Sequence, residues 1–259
     1  MSTPLLALLV LALPQESGEQ GYTPLFDGKT LAGWTEKGGR YDGDAVWSVE
    51  DGCIVGRQGP NGEGGLLYTE KLYTSFELRL EVKLDHPFDS GVFLRMAPDR
   101  KGAQLTLDWR EGGQIGALYS DGYLQENPAG EKLFKKDEWN ALSVRCTGFD
   151  MHVVAELNGK PLVDFTYPAG HAHEFAPLGR IGLQVHGNRG DTGVARFRNV
   201  RVRELPIFGE EDVFTSWMKG GPGLVVNERG KALGWRALFD GKSLAGWQVA
   251  GDASRYTAK

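Results

Sequence analysis

Cysteine is nearly absent from this 259-residue chain: Cys53 and Cys146 are the only two. No C-x-x-C spacing exists, which argues against a zinc ribbon or a thioredoxin-type redox site. Two thiols this far apart, each in a strand-like run, read as buried small hydrophobes, and sequence does not say whether their Cα atoms approach closely enough to bridge. Basic residues are outnumbered by acidic ones, 29 to 34, and no Lys/Arg stripe occurs. No nucleic-acid partner is therefore expected. No apolar run is long enough to span a bilayer, so no membrane insertion of the mature domain is expected. Helical periodicity of useful length is missing before residue 205, which argues against a bundle. The glycines from Gly62 to Gly65 are not followed by G-K-[ST] or by a helical pattern, so a phosphate-cradling loop is rejected.

What remains is a globular composition: 41% hydrophobic, 24% charged, net charge −5. The 37 glycines fit many tight turns between short strands. Leu5 to Leu13 (LLALLVLAL) suits the apolar core of a secretory signal, with a polar spacer to Gln20. Residues 1–20 are therefore expected to be a signal peptide and spacer, and the protein to be periplasmic or extracellular.

The most informative stretch runs from Phe76 to Met96. Phe76, Leu78, Leu80, Val82 and Leu84 alternate with Glu77, Arg79, Glu81 and Lys83, the period of a strand with one buried face. After a polar loop containing Pro87, Asp89 and Ser90, a second alternation follows. Val92, Leu94 and Met96 take the core parity there, leaving Phe93 and Arg95 on the open face. Gln104 to Trp109 alternates likewise, with Leu105, Leu107 and Trp109 inward and Gln104, Thr106 and Asp108 outward. Ile181, Leu183 and Val185 point inward in a later strand, with Gln184 and His186 outward. Asp51-Gly52 and Asn158-Gly159 are two-residue hairpin signals. Further short strands are expected at Leu66–Tyr68, Gly116–Tyr119, Trp139–Cys146, Met151–Leu157, Pro161–Phe165 and Val194–Leu205. The whole reads as all-β, a two-sheet antiparallel sandwich.

Leu25–Trp34 (LFDGKTLAGW) returns as Leu238–Trp247 (LFDGKSLAGW), which signals a duplicated domain. The expected organisation is a β-sandwich over 21–205, a linker over 206–235, and over 236–259 the truncated start of a second copy. Within the linker, Val213, Phe214, Trp217 and Met218 fit one short amphipathic helical face.

If the three outward sets share a sheet, Phe93, Arg95, Gln104, Thr106, Asp108, Gln184 and His186 form one patch. Amides and a guanidinium suit hydroxyl and carbonyl recognition, an aromatic ring suits the apolar face of a sugar, and an imidazole can move a proton. Taken singly, each has a plain structural explanation; a lone His on a sheet is usually just hydrogen-bonded. His171 and His173 have a metal-like spacing without a third ligand nearby. His86 and His152 read as loop and strand surface. No cofactor is expected, while a Ca²⁺-type divalent cation in an acidic loop is left open.

The motifs LFDGKTLAGW, WSVEDGCIVG, SFELRLEVK, SGVFLRM, GALY, EWNALSVRCTG, LNGKPLVDF, GLQVHG and FRNVRVREL occur in order. As a set they resemble the 3-keto-disaccharide hydrolase family, also described as 3-keto-glucoside 1,2-lyase and 3-keto-2-hydroxyglucal hydratase. The resemblance covers roughly Tyr22 to Leu205 and implies a concanavalin A-like jelly roll acting on a small-molecule glycoside. It implies β-elimination at a 3-keto-glycoside followed by hydration, with no need for the paired carboxylates of ordinary glycosidases. In that scheme Arg95 would stabilise the enolate and His186 or Asp108 would serve as acid or base, with Phe93, Gln104, Thr106 and Gln184 binding substrate. The family usually carries a carboxylate where this chain has Gln104, which leaves the base between Asp108 and His186, or this copy weakened. The alternative function is a non-catalytic carbohydrate-binding module.

Overall fold

A computed structural model describes residues 21–148, 151–168, 174–187 and 193–206, and the backbone of 214–217 and 224–226. Along the chain run β1 (Thr23–Pro24), β2 (Trp34–Thr35), β3 (Val46–Glu50), β4 (Cys53–Arg57), β5 (Gly65–Thr69), β6 (Phe76–Leu84), β7 (Phe88–Met96) and β8 (Ala103–Trp109). Then come β9 (Ile115–Tyr119), β10 (Tyr123–Gln125), β11 (Asn140–Thr147), β12 (His152–Leu157), β13 (Lys160–Thr166), β14 (Arg180–Val185) and β15 (Ala195–Glu204). The helical structure described is one 3₁₀ turn, Gly130–Leu133.

Two antiparallel sheets face each other. One is ordered β13-β12-β11-β6-β15-β4-β3, with β1 added on β15; the other is β10-β9-β8-β7-β14-β5-β2. Both are built from strands lying between Thr23 and Glu204, and together they make the expected jelly-roll sandwich. The period-two patterns explain the core. Phe76, Leu78, Leu80, Val82 and Leu84 of β6 meet Phe88, Val92 and Leu94 of β7, Leu105, Leu107 and Trp109 of β8, and Ile181, Leu183 and Val185 of β14. Each such side chain contributes about 1.5–3 kcal/mol on leaving water.

Local chemistry fixes the turns. Asp51-Gly52 and Asn158-Gly159 both take left-handed backbone at their two central residues, which matches strand twist and joins β3 to β4 and β12 to β13. The first LFDGKTLAGW copy is a built turn. Asp27 Oδ1 accepts from the amides of Lys29 and Thr30 at 2.7 Å each, and Trp34 donates its indole N–H to Leu25 O at 2.7 Å. The repeat at 238–247, the expected leader at 1–20 and the His171/His173 pair lie outside the described residues.

The cysteines are buried thiols as expected, and two other expectations change. Cys53 and Cys146 are both free, on β4 and β11 with β15 and β6 between them. Cys53 packs with Val55 and Val194, whereas Cys146 belongs to the main core, so the two do not bridge. In the segment expected to be a linker, Phe214–Trp217 is a strand paired with Leu224–Val226 and not a helical face; their Thr, Val and aromatic content favours extended backbone. Finally, β7 begins at Phe88, so Asp89 and Ser90 belong to the strand and not to a loop.

Candidate functional site

The strands β8, β7 and β14 are consecutive in one sheet, so their outward residues share one face as expected. Gln104 Nε2 donates to Gln184 Oε1 at 2.7 Å, reaching across β7. Gly91 lies on β7 between them and makes that reach possible: a Cβ there would stand 2.4 Å from Gln104 Nε2. The backbone of Gln184 is held in turn, its main-chain carbonyl accepting from Ser90 Oγ at 2.7 Å.

His186 follows β14. Its amide donates to Asp89 O at 3.2 Å, and its carbonyl accepts from Gln58 Nε2 at 2.8 Å, which fixes the backbone from both sides. The ring's Nδ1 is enclosed, 3.6 Å from Asp89 Oδ2, while the side chain as a whole is 44% exposed. Asp89 is nearly buried and also accepts from Arg110 Nη2 at 2.8 Å. Arg110 grips Asp108 as well, through Nε at 2.7 Å and Nη2 at 2.9 Å. Asp89 and Asp108 are directly opposite each other on β7 and β8, and one guanidinium binds both carboxylates.

A cleft of about 520 Å³ lies over this face, and Gln104, Gln184 and His186 all line it. Its other wall comes from residues that alternation could not reveal. The loop 36–44 follows β2 at one sheet edge and reaches the turn after β9 near the other, where Arg40 Nη2 meets Asp121 Oδ2 at 3.1 Å and the Tyr41 hydroxyl donates to Asp121 Oδ1 at 3.2 Å. Asp42 shapes the loop by accepting from the amides of Gly38 (3.0 Å) and Gly39 (2.9 Å). Gly39 rests on the ring of Tyr68, 2.2 Å from where its Cβ would be, and the Tyr41 amide donates to the Tyr68 hydroxyl at 3.2 Å. Burial chiefly pushes both tyrosine hydroxyls above their ordinary range, so both stay protonated at neutral pH. The floor is glycine at Gly64 because a Cβ would stand 2.3 Å from Gly187 N. That close approach, and not phosphate binding, accounts for a glycine there.

Arg95 does not belong to this face. Four residues of β7, Phe93 to Met96, oppose three on β14, Arg180 to Gly182, a bulge at Arg95, whose backbone is left-handed at φ 50°. The extra residue resets the parity. Arg95 is 1% exposed and donates through Nη1 to Gly148 O at 2.7 Å, just beyond β11 of the opposite sheet. Met96, expected in the core, instead packs with Phe93, Leu66 and Tyr68. Phe93 keeps the predicted face but is not an open platform: it is 4% exposed, under the Tyr41 ring at 5.8 Å. Thr106 is occupied structurally, donating to Gln114 O at 2.7 Å and accepting from the Ala117 amide at 3.0 Å where the β8–β9 register breaks. Asp108 stands beside the cleft, clamped by Arg110, and is not among its lining residues.

Among the described residues, no three His, Cys, Asp or Glu side chains converge as metal ligands. A cation at Asp89 and Asp108 would have to displace Arg110. No helix among the described residues is long and apolar enough to cross a membrane.

A 3-keto-disaccharide hydrolase of Bacteroides thetaiotaomicron is 38% identical to this chain over 91 residues. The match covers 32% of this chain and 29% of that relative, so it spans under a third of the relative's length. Two solved structures described as candidate glycosyl hydrolases, both from Parabacteroides distasonis, share the fold. One has a TM-score of 0.55 at 24% identity, over 75% of this chain and 99% of that one. The other has a TM-score of 0.53 at 26% identity, over 71% and 99%. The model of the 3-keto-alpha-glucoside-1,2-lyase-like domain matches residues 21–203, the segment that forms both sheets and the cleft, and the chain belongs to that family.

Proposed function

We propose that this domain cleaves the glycosidic bond of 3-keto-glycosides by β-elimination and rehydration, and that His186 moves the proton. The carrying observation is the pairing of His186 with Asp89 at the edge of an amide-lined cleft, in a chain of this family. A ketone at C3 acidifies the hydrogen on C2. The exposed side of His186 accepts that proton, and Asp89 stabilises the imidazolium through Nδ1. The C2–H electron pair forms the C1=C2 bond as the glycosidic oxygen leaves C1 and takes a proton from the imidazolium. Water then adds its oxygen to C1 and a proton to C2, which releases the 3-keto sugar.

During elimination, negative charge develops on the C3 oxygen and needs a donor. With Arg95 turned inward, that role falls to the side-chain amide of Gln184; Arg40, the one guanidinium or ammonium among the described lining residues, is held by Asp121 at the β9 end of the cleft. Gln104 cannot act as a base, and in this reading it orients Gln184. Asp108 and Arg110 position Asp89. The descriptions of the relatives as hydrolases favour this enzymatic reading over a non-catalytic binding module. The leader-like Leu5–Leu13 supports action outside the cytoplasm on a soluble saccharide. The test is aglycone release from a 3-keto-glucoside: His186→Ala should lower turnover about 10²- to 10⁴-fold. Full activity in that variant would remove His186 from the mechanism.

A further inference from the structure

The aromatic surface available to a sugar is not Phe93 but a tyrosine pair at the sheet edge. Tyr119 on β9 and Tyr123 on β10 are directly opposite each other, so both stand on one face, and their rings meet edge-to-face at 5.4 Å. They are 40% and 47% exposed, among the few large apolar side chains left in water. Tyr119 also lines the cleft and is the cross-strand partner of Gln104. The face therefore runs from His186 and Gln184 through Gln104 to Tyr119 and Tyr123. From β14 to β9 is three strand spacings, about 14 Å, and the register sets Tyr119 four residues along from the level of His186, about 13 Å. The two ends therefore lie diagonally across the cleft, with room for a ring at His186 and a second ring beyond it. The turn joining the two tyrosine strands is tied by Asp121 to Arg40 and Tyr41, so the pair is held before any ligand arrives.

We propose that Tyr119 and Tyr123 form the subsite for the leaving group, stacking on a pyranose or aromatic aglycone and selecting against small alkyl aglycones. This rests on the cleavage reading above, which places the 3-keto ring at His186. An edge-to-face pair leaves the flat side of one ring open, and a ring face packs well on the C–H side of a pyranose.

The experiment compares kcat/KM for a 3-keto-disaccharide with that for methyl 3-keto-glucoside, using the full chain. In Tyr119→Ala and Tyr123→Ala the ratio should fall about five- to tenfold, mainly through KM of the disaccharide, the worth of an aromatic contact. Tyr119→Phe, which keeps the ring, should retain the wild-type ratio. If wild type cleaves both substrates and neither alanine variant moves the ratio, the subsite assignment is wrong although the cleavage reading stands. If wild type cleaves neither, the cleavage reading is wrong, and calorimetry with trehalose then decides the platform separately. Binding by wild type that is lost in Tyr119→Ala supports it; no binding by wild type, or equal binding by both, overturns it.

Discussion

Glu77 is expected to make this protein acid-sensitive in a way that one substitution exposes. It sits on the outer side of β6, where alternation predicts a solvated side chain, yet it is only 8% exposed. Its carboxylate accepts from Arg79 Nε at 3.1 Å and Nη2 at 3.0 Å, and from Arg203 Nη2 at 2.6 Å. Those guanidiniums lie over the Tyr22 ring, 4.6 and 5.0 Å from its centroid. Burial alone would raise the Glu77 pKa, but Tyr22, Arg203 and Arg79 together outweigh it and hold the group below the usual carboxylate range. A depressed folded-state pKa means that the stabilisation is fully present above the unfolded value of about 4.3. It is lost as pH falls through the folded value.

Glu77→Gln keeps the shape and removes the charge. Hydrogen bonds to charged groups are worth about 1.5–3 kcal/mol, and both arginines are about a third exposed, which weakens them. A loss of about 2 kcal/mol at pH 7 follows. In a domain of this size that corresponds to roughly 4–8 °C in Tm. Melting curves followed by circular dichroism at pH 7 and pH 3 should show the gap between variant and wild type closing at the lower pH. A gap of the same size at both would show that the charge is not what holds this face together.

Two further outcomes test the fold. Leu94→Ala, in the main core at 1% exposure, should lose about 2–5 kcal/mol in urea unfolding, and a change under about 0.5 kcal/mol would contradict the inward assignment. A chain ending at residue 206 keeps every strand of both sheets, so its Tm should lie within about 2 °C of the full chain, less than 1 kcal/mol; a larger drop would mean that later residues complete the sandwich.

Alternation made most of the fold legible. The patterns of β6, β8 and β14 place their core residues correctly, and two dipeptides place two hairpins. Alternation also put Gln104, Gln184 and His186 on one face. It failed at Arg95, because a bulge adds one residue without any mark in hydrophobicity, and every side chain after it changes face. It missed Asp89 because a polar pair before Gly91 reads as loop until the pairing with β8 is known. Arg40, Tyr41 and Asp121 were out of reach for another reason: the loop 36–44 comes to the site through tertiary packing, which leaves no period. Tyr41 also hides Phe93, more than fifty positions along the chain. Tyr119 fell within a recognised strand, GALY, but one short run could not show which side chain overlooks a cleft.

The elimination step leaves a record in the product. If the C2 proton departs and returns from solvent, cleavage of a 3-keto-glucoside in D₂O should give 3-keto-glucose carrying one deuterium at C2, beyond the slow exchange seen with product alone. Mass spectrometry of the first turnovers reads this directly. Deuterium at C2 in near-stoichiometric amount is the predicted result. Cleavage with the original hydrogen retained at C2 would show direct displacement at C1 and would contradict the mechanism built on His186.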